Sequence, residues 1–156
     1  MPSFFLAHLM TTGLGPFYDG LAHVFVTPED LLPVLALSLA AGLRGPAGGR
    51  TALFVLPAAW LAGVVLGGLF SPHWIWPVVA AGMTVLFGTL AAADLRLSAR
   101  VVGVLAAALG LWNGSWNGID LVRSGADRLG TGLGIACAVF VVMDHNLGFA
   151  AHECQH

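Results

Sequence analysis

Long apolar stretches with almost no charge constrain this chain more than any other feature. Residues 51–70 and 74–93 are uncharged runs of 20 residues, and a helix needs about 20 apolar residues to cross a bilayer core. Overall, 58% of the residues are hydrophobic and 9% are charged, whereas soluble domains carry about 25% charged residues. The composition therefore predicts an all-α, polytopic transmembrane helix bundle that forms one domain over residues 1–156.

The apolar pattern predicts about five spans, preceded by a short N-terminal helix. A lead-in rich in Gly, Pro and aromatic residues is expected to hold an interfacial or re-entrant helix near Pro16–Val26. A span over Pro28–Leu43 would measure about 24 Å, less than the hydrocarbon core of about 30 Å, so it is expected to continue through the lead-in or to lie where the bilayer is thin. The other spans are predicted at Thr51–Phe70, at Trp74–Ala93, at Val101–Trp116, and from Leu129 to Met143 or Ala151, with a charged loop between the last two.

The arginines predict how the bundle is oriented. With five spans, Arg44 and Arg50 share a side with Arg96 and Arg100, and only Arg123 and Arg128 lie on the other side. Short cytoplasmic loops carry the excess of positive residues, so the first group is expected inside. The N-terminus would then lie outside the membrane and the C-terminus in the cytoplasm.

Composition and missing motifs exclude several classes of function. A net charge of −2 and the absence of a basic patch argue against a nucleic-acid partner. No GxxxxGK[ST], GxSxG, HExxH or CxxC motif is present, so nucleotide-driven transport and familiar hydrolase chemistry have no support. Two cysteines do not make a disulfide framework.

The acidic and histidine residues near the N-terminus predict a metal site. Asp19 and His23 are four residues apart, which on a helix puts them on one face, and His8, Glu29 and Asp30 lie nearby in sequence. Imidazole with carboxylate suits nickel, cobalt, zinc or copper(II). A second interpretation gives Glu29 and Asp30 only the role of complementing the positive end of a helix, which the sequence Thr27-Pro28 is expected to cap and begin.

The C-terminal part of the chain holds a second set of candidate ligands. Asp144 and His145 fall at or near membrane depth, where ionisable groups are functional candidates, although they could equally mark the cytoplasmic end of the last helix. The tail could bind a transition metal on the inner side or be idle, and its candidate ligands are His152, Cys154 and His156.

Polar and small residues within the spans give two further expectations. Asn113 and Asn117 share a helical face and could line a polar path or, as the plainer interpretation, form hydrogen bonds between helices. The glycine pairs Gly63-x3-Gly67 and Gly130-x3-Gly134 are interpreted as sites of close helix packing.

The stretch TGLGPFYDGLAHVFVTPEDLLPVLALSLAAGLRG, from Thr12 to Gly45, resembles the HupE/UreJ family of small bacterial membrane proteins, and the likeness continues more loosely through LFVLPAAWL at 53–61. The resemblance implies a nickel or cobalt permease, or an accessory protein, associated with hydrogenase or urease. The family pattern has a histidine and then Gly-x-Asp-His in its first helix. Here Asp19 and His23 match that idea, with three residues between them.

These observations together predict a permease for a divalent transition metal, with nickel preferred and cobalt second. Asp19 and His23 would capture the ion outside, and Asp144 with His145 would receive it inside. The expected partners are the lipid bilayer, the divalent ion, and a second copy or a metalloenzyme assembly, with no permanently bound cofactor. The alternative is a non-transporting accessory subunit or metallochaperone, and an enzymatic role is not expected.

Overall fold

Six helices make up the part of the chain that the computed structural model describes, which is residues 11–67, 69, 76–93, 95 and 97–153. No strand occurs in these residues, so the all-α prediction is confirmed. The helices are α1 (Pro16–Val26), α2 (Pro28–Gly42), α3 (Pro46–Gly67), α4 (Trp76–Ala92), α5 (Ala99–Ser124) and α6 (Arg128–Glu153).

By length and apolarity, the described residues contain fewer candidate membrane spans than the expected five. Among the described residues, Pro46–Gly67 and Arg128–Leu147 are long and apolar enough to cross a membrane. The bent pair α1 and α2 makes a third span if it is counted as one, and the described apolar part of α4, Ala81–Ala92, is shorter. The expectation of about five spans is therefore not confirmed.

Helix α5 extends further than the sequence predicted. It was expected to end near Trp116, yet it runs for 26 residues to Ser124 and terminates at Gly125, whose φ of 67° is left-handed. The helix was predicted to end here because asparagine and glycine have low intrinsic helix propensity. That prediction was wrong because tertiary packing stabilises the helix in spite of this low propensity. The residues concerned lie against α3.

Helices α3 and α5 pack with their backbones in contact. A Cβ atom added to Gly114 would collide with the carbonyl of Trp60, and one added to Gly118 would collide with that of Val64. A Cβ on Gly63 would lie 2.7 Å from the Leu111 oxygen, so the predicted packing role of this glycine is confirmed. Residues later in α3 contact residues later in α5, so the two helices run parallel. We call this contact the glycine seam.

The parallel arrangement defines two ends of the bundle. Arg44 and Arg50, around the start of α3, lie at the same end as Arg100, at the start of α5. Arg128 lies at the opposite end, where its Nη2 donates to the Val65 carbonyl at 2.7 Å near the end of α3. These four arginines are thus divided between the two ends of the bundle.

Helix α1 lies across the beginning of α6, at the Arg128 end. A Cβ on Gly20 would collide with the Thr131 carbonyl, and one on Gly134 would collide with the Phe17 carbonyl. At the other end, Leu147 of α6 lies against Gly49, so α6 runs antiparallel to α3. Large apolar side chains fill the core between the helices, among them Leu37, Leu56, Trp60, Leu109, Ile135 and Met143.

Candidate functional site

A sharp break between α1 and α2 creates the site. The two helices are bent by 74° at Thr27, which has an extended conformation with φ −110° and ψ 92°. Pro28 has no N–H to donate to Val24, so a continuous helix cannot pass through this point. Thr27 occupies the N-cap position, but its side chain makes no capping hydrogen bond. The predicted side-chain cap was therefore wrong.

Four buried polar side chains meet at this break, and we call them the polar cluster: His23, Thr27, Asp30 and Asn117. His23 Nε2 lies 3.4 Å from Asp30 Oδ2 and 3.3 Å from Asn117 Oδ1. Asn117 Nδ2 donates to Asp30 Oδ2 at 3.2 Å. Three helices, α1, α2 and α5, thus contribute to a single site.

One tautomer of His23 satisfies these contacts. Its Nε2–H donates to Asp30 Oδ2 and Asn117 Oδ1, and its Nδ1 accepts from the Thr27 hydroxyl, which lies 3.5 Å away. This assignment follows from the partners, because ring protons are inferred from the hydrogen-bond network. Asp30 is only 2% exposed, and a buried carboxylate requires partners of this kind.

The polar atoms of the cluster lie at hydrogen-bonding distances from one another, and these distances are also compatible with two ligands of one ion. With metal–ligand distances of about 2.0–2.1 Å, neighbouring ligand atoms lie roughly 2.9–3.4 Å apart in octahedral or tetrahedral geometry. The distances from His23 Nε2 to its two oxygen partners, 3.3 and 3.4 Å, lie at the upper end of this range. The described residues contain no group of three His, Cys, Asp or Glu side chains that could hold a metal. The cluster therefore offers one imidazole and one carboxylate, supplemented by amide and hydroxyl oxygens.

Two of the N-terminal candidates lie outside the cluster. Asp19 accepts hydrogen bonds from the backbone N–H and the hydroxyl of Thr12. Glu29 is exposed on the first turn of α2. His23 therefore meets Asp30, seven residues later, where the sequence suggested Asp19.

Asp144 and His145 lie far from the polar cluster. Both are exposed on α6, 13 and 14 residues beyond the Thr131 that contacts α1, which is about 20 Å along a helix. They belong to the end of the bundle opposite the cluster. The backbone of His152 lies within α6, but its side chain is not among the described parts of the structure. His8, Cys154 and His156 lie outside the described residues.

The sequence pattern did not predict that Asn117 and Thr27 belong to the polar cluster. Asn117 was expected mainly to bond between helices, and it does so directly to the candidate ligands His23 and Asp30. Thr27 was considered only as a cap, although its spacing of four from His23 is a signal that could have indicated a contact. Asn113, one turn before Asn117, is 1% exposed, and its Nδ2 has no hydrogen-bond partner in the described part of the chain.

The comparison with protein families covers nearly the entire sequence. The model of the family described as HupE / UreJ protein matches residues 1–155. The chain belongs to the HupE/UreJ family. No curated protein and no solved structure matches it. Membership in the HupE/UreJ family implies nickel or cobalt transport, or an accessory role for hydrogenase or urease, and it is consistent with a non-enzymatic membrane protein.

Proposed function

We propose that this HupE/UreJ protein is a permease for divalent transition-metal ions, nickel preferred and cobalt second, that supplies metalloenzyme maturation from the bacterial inner membrane. The observation that carries the proposal is the buried polar cluster at the break between α1 and α2. Discontinuous helices place binding groups within the membrane in many transporters. Ionisable groups at such depth are costly and are functional candidates by default.

The composition of the cluster favours a transported ion over a stored one. Nickel and cobalt accept imidazole nitrogen together with oxygen ligands, and His23 with Asp30 supplies one of each. Structural metal sites are closed by four strong ligands. Two strong ligands and weaker amide or hydroxyl oxygens hold an ion less tightly, which allows its release.

The two ends of the bundle suggest a direction of transport. The cluster shares its end with Arg128, whereas Arg44, Arg50 and Arg100 lie at the other end. The positive-inside rule then supports an orientation with the cluster outside and with Asp144 and His145 at the cytoplasmic end. An inside-negative potential favours inward movement of a divalent ion by about 4.6 kcal/mol per 100 mV, so no nucleotide is required.

Uptake of radioactive nickel into cells tests the proposal. We expect uptake with the wild-type chain to be lost in His23→Ala and reduced at least about tenfold in Asp30→Asn, because each change removes a ligand and second-sphere groups alone typically alter affinity 10–100-fold. Glu29→Gln is the matched control, since it neutralises the exposed neighbour of Asp30 and should leave uptake unchanged. Cobalt is expected to compete more effectively than zinc.

Wild-type uptake no greater than in cells without the protein, at verified membrane abundance, would overturn the proposal that the protein is a permease.

One observation favours an accessory or metallochaperone role as the second candidate. Below the cluster the core is lined by apolar side chains such as Leu37, Val139 and Met143, which is unfavourable for a continuous ion path. Nickel bound to the purified protein without uptake would identify that second function.

A further inference from the structure

A cavity of about 410 Å³ opens between the end of α3 and the beginning of α6, at the Arg128 end of the bundle. Its lining is apolar except for two opposite charges, and it includes Leu61, Val64, Val65, Leu129, Asp127 and Arg128. Both helices are long and apolar enough to cross a membrane, so their ends lie near the level of the lipid headgroups. The cavity is therefore placed at the border between headgroups and acyl chains.

The apolar part of the lining continues one helical turn into the membrane. Leu61 precedes Val65 by four residues, which is about 6 Å along α3. A Cβ on Gly132 would lie 3.0 Å from Val64 Cγ1 and 3.5 Å from Leu61 Cδ1, so α6 packs against these two side chains. Val65 and Leu129 are half exposed or more. The inner part of the cavity thus suits a hydrocarbon chain and would hold a polar ligand poorly.

The outer part of the cavity holds two charges that do not pair with each other. Arg128 Nη2 donates to the Val65 carbonyl at 2.7 Å, and the other guanidinium nitrogens make no hydrogen bond within the described residues. The Asp127 carboxylate accepts from the backbone N–H of Gly130 at 3.1 Å and so caps α6, with lone pairs to spare. No salt bridge joins Arg128 to Asp127 in this part of the chain. A ligand that satisfies both groups must carry an anion and a cation close together.

We propose that the cavity binds one phosphatidylethanolamine molecule, with its phosphate at Arg128, its ammonium at Asp127 and an acyl chain along Leu61 and Val65. A phosphodiester accepts hydrogen bonds from a guanidinium, and a primary ammonium donates to a carboxylate. The trimethylated ammonium of phosphatidylcholine has no N–H to donate, and the headgroup of phosphatidylglycerol has no cation. The bound lipid would join the end of α3 to the beginning of α6. This proposal does not depend on the transport of a metal ion.

Native mass spectrometry of the full chain in detergent tests the choice of lipid. The protein is mixed with equal amounts of phosphatidylethanolamine, phosphatidylcholine and phosphatidylglycerol that carry identical acyl chains, and the retained fraction of each lipid is compared. We expect phosphatidylethanolamine to be retained roughly two- to fivefold more than either other lipid, the effect of one exposed ion pair. Water-soluble glycerophosphoethanolamine, which has no acyl chains, should not displace it. Equal retention of the three lipids, or displacement by the soluble headgroup, would overturn the proposal.

Two substitutions test the two charges separately. Asp127→Asn keeps a side chain that caps helices as well as aspartate does, and it should abolish the preference for phosphatidylethanolamine over phosphatidylcholine while both lipids remain bound. Arg128→Gln should lower the retention of both lipids roughly tenfold, because it removes the charge-assisted bonds to phosphate. Arg123→Gln is the matched control, since Arg123 is exposed at the same end and does not line the cavity. A preference that survives in Asp127→Asn, the loss of both lipids from that variant, or an equal loss in Arg123→Gln would each contradict the assigned contacts.

Discussion

At the scale of single residues, the bend of the backbone decides which side chains meet. In a continuous helix His23 and Asp30, seven residues apart, would lie about 10 Å apart along the axis. The 74° bend at Thr27 brings them to 3.4 Å. Sequence spacing identified His23 and Asp30 as candidates. It could not pair them, because the i, i+4 rule applies only within one unbroken helix.

The same reasoning explains why Asn117 was not recognised as a partner of the candidate ligands. It is 94 residues from His23 and 87 from Asp30, and no local pattern reports a contact over that distance. Asp19 shows the opposite case. Its spacing from His23 was suggestive, yet its carboxylate bonds to Thr12 at the start of the described chain.

Asn117 provides a prediction about stability. We expect Asn117→Ala to lower the free energy of unfolding by about 1.5–3 kcal/mol, because it removes a hydrogen bond to the buried Asp30 carboxylate and leaves that group less satisfied. Thermal unfolding of the metal-free protein in detergent measures the change. Glu29→Gln, an exposed substitution, should unfold like the wild type, and an equally stable Asn117→Ala would show that the carboxylate does not depend on this amide.

At the scale of helices, the glycine seam explains both a correct and an incorrect prediction. The Gly63-x3-Gly67 pair was correctly interpreted as a packing site. The span that contains α5 was instead predicted to end near Trp116, in the polar sequence 113–117, although Gly114 and Gly118 touch the backbone of α3. A glycine that weakens a helix and a glycine that lets two helices approach look alike in sequence, and only the partner helix distinguishes them.

Substitution of glycine by alanine tests this seam. Gly114→Ala is expected to destabilise the protein by about 1–3 kcal/mol, since the added methyl group would force α3 and α5 apart, and Asn117 on α5 would move from the cluster. Gly82→Ala in α4 is the control, because a Cβ there would meet no described atom within 4 Å. Alanine is favoured in a helix by about 1 kcal/mol over glycine, so the control should be neutral or more stable. Chemical denaturation measures the free energy of unfolding of both variants. An equal change in Gly114→Ala and Gly82→Ala would argue against backbone contact at Gly114.

At the scale of the whole molecule, the sequence predicted the all-α class and the family, and the described arginines are divided between the two ends of the bundle as their order along the chain suggested. Apolar runs and charge asymmetry are properties of composition and order, so they are readable without coordinates. The number of spans was not predictable in the same way. Helix α5 carries two asparagines, an aspartate and two arginines within its 26 residues, and its polar inner side belongs to the site.

The orientation of the bundle leads to a labelling prediction. In a chain with both cysteines replaced by serine, Ser124→Cys should react in intact cells with a maleimide that cannot cross the inner membrane, because Ser124 is exposed at the Arg128 end. Arg50→Cys, exposed at the other end, should react only after the cells are opened. The reverse pattern would place the polar cluster on the cytoplasmic side and would require a direction of transport opposite to the one proposed.

The contribution of α5 to the polar cluster has a consequence for biosynthesis. His23 and Asp30 emerge early from the ribosome, but the amide that bonds to both belongs to a helix made almost 90 residues later. Until α5 docks along α3, the buried carboxylate has lost one of its native partners. The four-residue polar cluster is therefore complete only after α5 has been synthesised and has packed along α3.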